Sequence, residues 1–135
     1  MSLALVGASP EQKPAFAAGQ HWSYDTRAED SGSTLIIGRV DELARHGTVV
    51  HISVIDLNLR GPNGAFGHVV AHLPISAEAL RKSVKQEVPP VPLPDDFAGG
   101  YDTWRGAKGG VYTITVREVI ETIERTLNAP APQGQ

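Results

Sequence analysis

Hydrophobic and polar positions alternate along the first half of the chain with the period of β-strands. In residues 20–26, Trp22 and Tyr24 share one parity and polar side chains take the other, which is typical of a half-buried strand. The same alternation, or a run of β-branched residues, predicts three further strands, over residues 33–40, 48–59 and 66–73. Because glycine, proline and asparagine occupy residues 61–64 of the connection at residues 60–64, the last two strands are expected to form a β-hairpin.

The second half changes to the spacing of helices. Ser76 stands where an N-cap belongs, and Thr115 with Glu118 fits a capping box at the start of a clean apolar stripe. A short strand is predicted at residues 111–114. The predicted helices cover residues 76–87, 95–105 and 116–127.

This order of elements predicts an α+β fold. We expect a curved, mostly antiparallel sheet of about four to five strands, packed with two main helices, the last at the C-terminus. A partly open barrel is an alternative form of that sheet. Residues 16–128 are expected to form a single domain, with a proline-rich extended spacer at residues 88–94. The other expectations are an irregular lead-in at residues 1–15 and a disordered tail at residues 129–135.

Composition narrows the class of protein. The chain has 135 residues and a net charge of −3, from 12 basic and 15 acidic residues spread evenly. That balance argues against a nucleic-acid partner and against a polybasic membrane anchor. No apolar run approaches the ~20 residues of a membrane span. The chain has no cysteine, which removes disulfides, cysteine zinc sites and thiol nucleophiles, and fits a cytoplasmic location.

Histidines on the two strands of the predicted hairpin are the candidates for metal binding. If the turn is centred near residue 62, His72 falls close to His51 and His68 faces Asp56. His51, His68 and His72, with His21 as a possible fourth ligand, could then bind Zn²⁺, Fe²⁺ or Mn²⁺. However, His51 and Asp56 have opposite parity, so their convergence requires a β-bulge. Histidines at the solvent face or the sheet edge are the alternative, and no cofactor is assigned.

Most of the aromatic residues are candidates for a ligand or partner surface, since tryptophan and tyrosine are favoured interface anchors. That surface comprises Trp22, Tyr24, Phe97, Tyr101, Trp104 and Arg105. Core packing is the alternative role for the same rings. The glycine-rich residues 99–110 have two interpretations, a flexible connector or an anion-binding loop that uses Arg105 and Lys108.

No residue is assigned a catalytic role. Ser76 is interpreted as a helix cap, because nothing near it in the sequence supplies an oriented base. Paired carboxylates at residues 29–30, 41–42 and 95–96 lie in predicted turns or helix starts, where capping and solvation explain them.

Two segments carry a resemblance to other proteins: Gly19-Gln-His-Trp-Ser-Tyr24, opening a strand, and the segment from His72 to Ser83, entering a helix. With the strand at residues 50–54 they resemble small bacterial single-domain proteins to which no activity is attached. The resemblance implies a bacterial source and one compact domain over most of residues 19–127, and no site residue.

The leading interpretation of function is a non-enzymatic protein-binding or accessory module, which has a protein partner or forms a homodimer. One alternative is a small-molecule-binding domain whose pocket lies between the curved sheet and the last helix. Trp22, Tyr24, Tyr101 and Trp104 would line that pocket. Another alternative is a metal-dependent enzyme built on the three hairpin histidines.

Overall fold

The computed structural model describes residues 15–130, and its largest element is an antiparallel sheet. The strands are β1 (His21–Tyr24), β2 (Thr34–Leu43), β3 (Gly47–Ile55), β4 (Leu59–Gly61), β5 (Gly64–Gly67), β6 (Val70–Ser76) and β7 (Val84–Val88). Five of them form one sheet in the order β6–β3–β2–β1–β7, while β4 and β5 form a separate two-stranded ribbon. Within the described residues the sheet is open rather than a closed barrel, and the predicted α+β class is confirmed.

Three helices pack on this sheet, α1 (Ala77–Ser83), α2 (Phe97–Ala107) and α3 (Val116–Leu127). Both predicted caps are present. The Ser76 hydroxyl accepts a hydrogen bond from the Ala79 amide, and Thr115 and Glu118 form a reciprocal capping box. These caps satisfy amide groups that a helix start otherwise leaves without partners.

The hydrophobic core lies between one face of the sheet and helices α1 and α3. Leu35 and Ile37 of β2 and Ile52 of β3 pack there against Val119 and Ile120 of α3. Because side chains alternate between the two faces of a strand, His51 of β3 points to the opposite face, where rings of α2 cover it. The sheet therefore separates an apolar core from a second, more polar interior.

Two sequence predictions about the middle of the chain are wrong. The helix expected over residues 76–87 ends at Ser83, and the next five residues form β7 along the free edge of β1. The long strand expected over residues 48–59 ends at Ile55, because Asp56 adopts a positive φ of 57°. At residues 84–88, pairing with β1, which is distant in sequence, outweighs the local pattern.

Three smaller differences concern loops and termini. The segment predicted as a strand at residues 111–114 forms a single parallel bridge, from Tyr112 to Ile75. The predicted spacer forms no helix or strand after Val88, the last residue of β7. Of the predicted lead-in, only Ala15 lies within the described residues, as do the first two residues of the predicted tail. No helix within residues 15–130 is long and apolar enough to cross a bilayer.

Candidate functional site

A group of polar and aromatic side chains lies between α2 and the face of the sheet opposite the core. We call it the histidine cluster, and it consists of Arg39, Asp41, His51, His72, Tyr101 and Trp104.

Hydrogen bonds run through the histidine cluster in one continuous line. Arg39 Nε donates to Asp41 Oδ1 over 2.9 Å, and Asp41 Oδ2 lies 3.1 Å from His51 Nε2. The other ring nitrogen of His51, Nδ1, lies 2.9 Å from His72 Nε2. Tyr101 donates its hydroxyl to Asp41 Oδ2 over 3.1 Å. A carboxylate therefore orients one imidazole, which in turn orients a second.

Two β-bulges bring these side chains onto one face of the sheet. In β2 the pairing shifts between Ile37 and Arg39, so the extra residue Gly38 turns Arg39 and Asp41 away from the core. In β6 the pairing shifts between Val70 and Leu73, which places His72 within a bulge. Val54 pairs with Val70, in the register that the sequence predicted, and the bulge then changes the register by one residue.

Aromatic rings enclose the two histidines. The His51 and His72 rings stack 5.1 Å apart between centroids, at an interplanar angle of 15°. Tyr101 and Trp104 meet His51 edge-on at 4.8 and 4.7 Å. The Arg39 guanidinium lies 4.8 Å from the centre of the Tyr101 ring, within cation–π range. His51 is fully buried and Tyr101 is buried, whereas Arg39 at the other end of the cluster is exposed, so the cluster extends from the interior to the surface.

Two glycines allow α2 to approach the sheet closely. A Cβ atom added to Gly38 would lie 2.4 Å from the Phe97 ring, and one added to Gly100 would lie 2.7 Å from the Cβ of His72. Neither space accommodates a larger residue without movement of the neighbouring element. Glycine is unfavourable within a helix, but of the consecutive glycines at residues 99 and 100 the packing of α2 requires the second.

The cluster shifts the ionisation of its members in ways that keep both imidazoles neutral. Burial, followed by the nearby His51, lowers the pKa of His72 to about 4. Burial also lowers the pKa of His51, and outweighs the opposing effect of Asp41. Burial alone would raise the pKa of Asp41, but hydrogen bonds from Arg39 and Tyr101 outweigh it and lower the pKa. At neutral pH the hydrogen-bonded series of Asp41, His51 and His72 therefore contains one carboxylate and two uncharged imidazole rings.

A pocket of about 450 Å³ opens beside His72, and neither His51 nor Asp41 is among the residues that line it. Most of its wall is apolar, and it is formed by β6, the last turns of α2, the segment at residues 110–112 and α3. The lining residues are Val70, His72, Leu73, Pro74, Trp104, Gly110, Val111, Tyr112 and Ile123. Pockets of this size and composition, with a few placed polar groups, are typical of small-molecule sites.

One nitrogen of the histidine cluster remains available to that pocket. His72 Nε2 is engaged by His51, while His72 Nδ1 makes no hydrogen bond to any residue of the described chain. Among those same residues, the single buried side-chain nitrogen or oxygen without a partner is Nε of Arg81. His72 Nδ1 is therefore not a fully buried atom, and the residue that carries it lines the mainly apolar pocket.

The structure brings together two of the three histidines predicted to bind metal. His51 and His72 are in contact, whereas His68 Nδ1 bonds to the Leu57 carbonyl oxygen over 2.9 Å. His21 bonds to the Pro89 carbonyl oxygen and to the Thr34 hydroxyl. Across residues 15–130, no group of three or more histidine, cysteine, aspartate or glutamate side chains is placed to hold a metal ion.

The six residues predicted as a ligand or partner surface are divided between the two faces of the sheet. Trp22 and Tyr24 belong to the core with α1 and α3. Phe97 and Tyr101 are buried on the opposite face, and Trp104 there is half-buried against the histidine cluster. Arg105 is exposed. Of the four rings predicted to line a pocket, Trp104 does so.

The glycine-rich residues 99–110, for which an anion-binding loop and a flexible connector are the alternatives, are mostly helix. Residues 99–107 belong to α2, and Lys108 ends the helix in the left-handed conformation. Arg105 and Lys108 nevertheless line a groove of about 590 Å³, together with Arg45 and His46. The groove is bordered by Trp104, which also lines the pocket beside His72.

Sequence reasoning missed Asp41 and Arg39. Asp41 was interpreted as a solvated turn residue, whereas β2 extends through it to Leu43. The bulge at Gly38 changes the parity of every later residue in the strand, so period-two counting assigns Arg39 and Asp41 to the wrong face. An isolated glycine within a strand pattern is the one signal that could have indicated the bulge.

Comparisons with known protein families, with curated proteins and with solved structures found no match to this chain. The resemblance to small bacterial proteins therefore stays a prediction, and the site has to be interpreted from its own geometry.

Proposed function

We propose that the protein is a small-molecule-binding domain, and that its ligand occupies the pocket beside His72. The observation that carries this proposal is that His72, whose Nδ1 makes no hydrogen bond to any described residue, lines a mainly apolar pocket of about 450 Å³. Such a pocket favours a compact apolar molecule with one polar group, because the apolar wall supplies affinity and the placed nitrogen supplies orientation.

The histidine cluster supports binding rather than catalysis. An effective general base has a pKa near the operating pH, whereas the pKa of His72 is lowered to about 4. The carboxylate of Asp41 contacts His51, which contacts His72, so two imidazoles separate it from the pocket. These features suit a fixed hydrogen-bonding atom better than a group that takes up and releases protons at neutral pH.

A matched pair of glycine substitutions tests the pocket. Gly110 lines the pocket and has open space where a side chain would begin, so Gly110→Leu should narrow the pocket without displacing a packed neighbour. Gly106 has the same open space but lies on the exposed side of α2, which makes Gly106→Leu the control. Indole is a suitable probe, because it is compact, apolar and carries one polar group.

The dissociation constant for indole should be measured by NMR titration of the three proteins. We expect the wild type and Gly106→Leu to bind indole with equal affinity, and Gly110→Leu to bind at least about tenfold more weakly, as expected when a pocket is occupied by a side chain. Equal affinity in all three proteins, or no binding by the wild type up to the solubility of indole, would refute the pocket as a ligand site.

A homodimer is the second candidate, and it carries forward the protein-binding interpretation favoured by the sequence. Its support is the exposure of two large apolar side chains near the ribbon, Phe66 at 61% and Val69 at 45%. The net charge of −3 and the cysteine-free sequence fit a protein partner in the cytoplasm better than a nucleic acid. Sedimentation equilibrium of the wild type and Phe66→Ser tests it, since only a dimer held by this patch would dissociate.

A further inference from the structure

The positions of the protons in the histidine cluster follow from Arg39. The guanidinium is always protonated and has donors but no acceptor, and its Nε donates to Asp41 Oδ1. Asp41 also accepts from the Tyr101 hydroxyl through Oδ2. An ionised carboxylate can only accept hydrogen bonds, so its contact with His51 Nε2 requires the hydrogen to be on that nitrogen.

The same reasoning extends along the line to the pocket. A neutral imidazole has one N–H and one lone pair, so a hydrogen on His51 Nε2 leaves a lone pair on His51 Nδ1. His72 Nε2 must therefore carry the hydrogen that joins the two rings over 2.9 Å. His72 Nδ1, the ring nitrogen that no described residue engages, is then left with a lone pair and no hydrogen.

We infer that the pocket selects neutral molecules that donate a hydrogen bond, through a hydroxyl or N–H group, to His72 Nδ1, and that Asp41 and His51 are the positioning residues that set this polarity. The inference rests on the proposed binding function and specifies its ligand class. A ligand whose polar group only accepts hydrogen bonds would face the lone pair of His72, and both groups would lose their hydrogen bonds to water.

Asp41→Asn should exchange donor and acceptor in each hydrogen bond from residue 41 through His51 to His72. The amide has one accepting oxygen and one donating NH₂ group. Because Arg39 can only donate, the amide oxygen must face Arg39, and the NH₂ group is directed to the position of Oδ2, beside His51 Nε2. His51 Nε2 then accepts, His51 Nδ1 donates to His72 Nε2, and His72 Nδ1 presents a hydrogen to the pocket.

Two bicyclic probes of similar size distinguish a His72 Nδ1 that presents a lone pair from one that presents a hydrogen. Indole N–H only donates a hydrogen bond, whereas the ring nitrogen of neutral isoquinoline only accepts one. We expect the wild type to bind indole about fivefold more tightly than isoquinoline, which corresponds to one ordinary hydrogen bond. Asp41→Asn should show the opposite preference by a similar factor. Asp102→Asn, which changes an exposed carboxylate on α2, is the matched control and should keep the preference of the wild type.

The outcomes separate this inference from the proposed function. If the wild type binds neither probe, the pocket itself is refuted. If the wild type binds both equally, or Asp41→Asn keeps the preference for indole, the pocket stands and the polarity inference fails.

A spectrum of ¹⁵N-histidine-labelled wild type provides a second test that needs no variant to fold. Long-range ¹H–¹⁵N correlations should show His51 and His72 both protonated at Nε2 and unprotonated at Nδ1. A hydrogen on His72 Nδ1 would overturn the inference.

Discussion

At the scale of single residues, His72 links the pocket to the pH dependence of stability. Its pKa is about 4 in the folded protein against an ordinary value of 6.5, mainly because it is buried. Between these values the unfolded chain binds a proton at this position and the folded chain does not, so the free energy of unfolding decreases as the pH falls from 6.5 towards 4. His51, whose pKa is also lowered, adds to the same trend.

His72→Asn should therefore flatten the change in unfolding free energy between pH 7 and pH 5, measured by urea denaturation. The control is His46→Asn, which removes an exposed histidine from the turn between β2 and β3 and leaves the histidine cluster intact. Its unfolding free energy should depend on pH as that of the wild type does. An unchanged slope in His72→Asn would show that the buried imidazole does not control the acid response.

At the scale of elements, the packing of α2 depends on which side of the helix its glycines face. A Cβ atom added to Gly99 meets nothing within 4 Å, whereas one added to Gly100 would lie 2.7 Å from the His72 Cβ. We expect Gly99→Ala to stabilise the protein by about 0.5–1 kcal/mol, through helix propensity alone. Gly100→Ala should destabilise it by about 1–3 kcal/mol, because α2 must move away from β6.

Thermal denaturation and urea denaturation of these two variants provide the measurement. The neighbouring substitutions share the same chemical change and the same helix, so their difference isolates the contact with His72. Similar effects of the two substitutions would contradict the close packing of α2 on the histidine cluster.

The elements also show which features the sequence could predict. The strands β1 and β2 and the helices α2 and α3 follow from local periodicity, whereas the predicted strands at residues 48–59 and 66–73 are each divided in two, into β3 and β4 and into β5 and β6. The strand β7 could not be predicted in that way, because residues 84–88 continue an acceptable helix pattern and become a strand only by pairing with β1. The bulges in β2 and β6 are equally non-local, since each is defined by the partner strand.

The sequence predicted only the part of the site that depends on local pairing. The contact between His51 and His72 follows from hairpin geometry, and the sequence indicated it. Asp41 lies on a third strand, β2, and the β2–β3 register with its bulge brings it to His51. Counting alternate residues along β2 would place Asp41 on the core face of the sheet instead. The pocket depends on where residues 110–112 pass along β6, which no local pattern specifies.

At the scale of the whole molecule, a buried ion cluster holds together segments that are far apart in sequence. Arg27 is 4% exposed, and its Nε donates to Asp30 over 2.6 Å while its Nη1 donates to Glu124 of α3 over 2.8 Å. Asp30, itself 1% exposed, also accepts from the amide of Asn58. The cluster thus joins the turn after β1, the segment before β4 and the last helix.

Arg27→Met should cost about 3–5 kcal/mol of unfolding free energy, because it leaves the Asp30 carboxylate buried without its cation. The control is Arg117→Met, which removes an exposed pair with Asp25 at 3.8 Å and should change stability by less than about 0.5 kcal/mol. Urea denaturation of the two variants measures both values. A small effect at Arg27 would show that the ion cluster does not hold these segments together.

The central claim, that the pocket beside His72 binds a small molecule through one nitrogen, is tested most directly by a crystal structure of the protein with saturating indole. The account predicts indole density between β6 and residues 110–112, with the indole nitrogen about 2.7–3.2 Å from His72 Nδ1. An empty pocket, or indole bound there with its nitrogen directed away from His72, would contradict it.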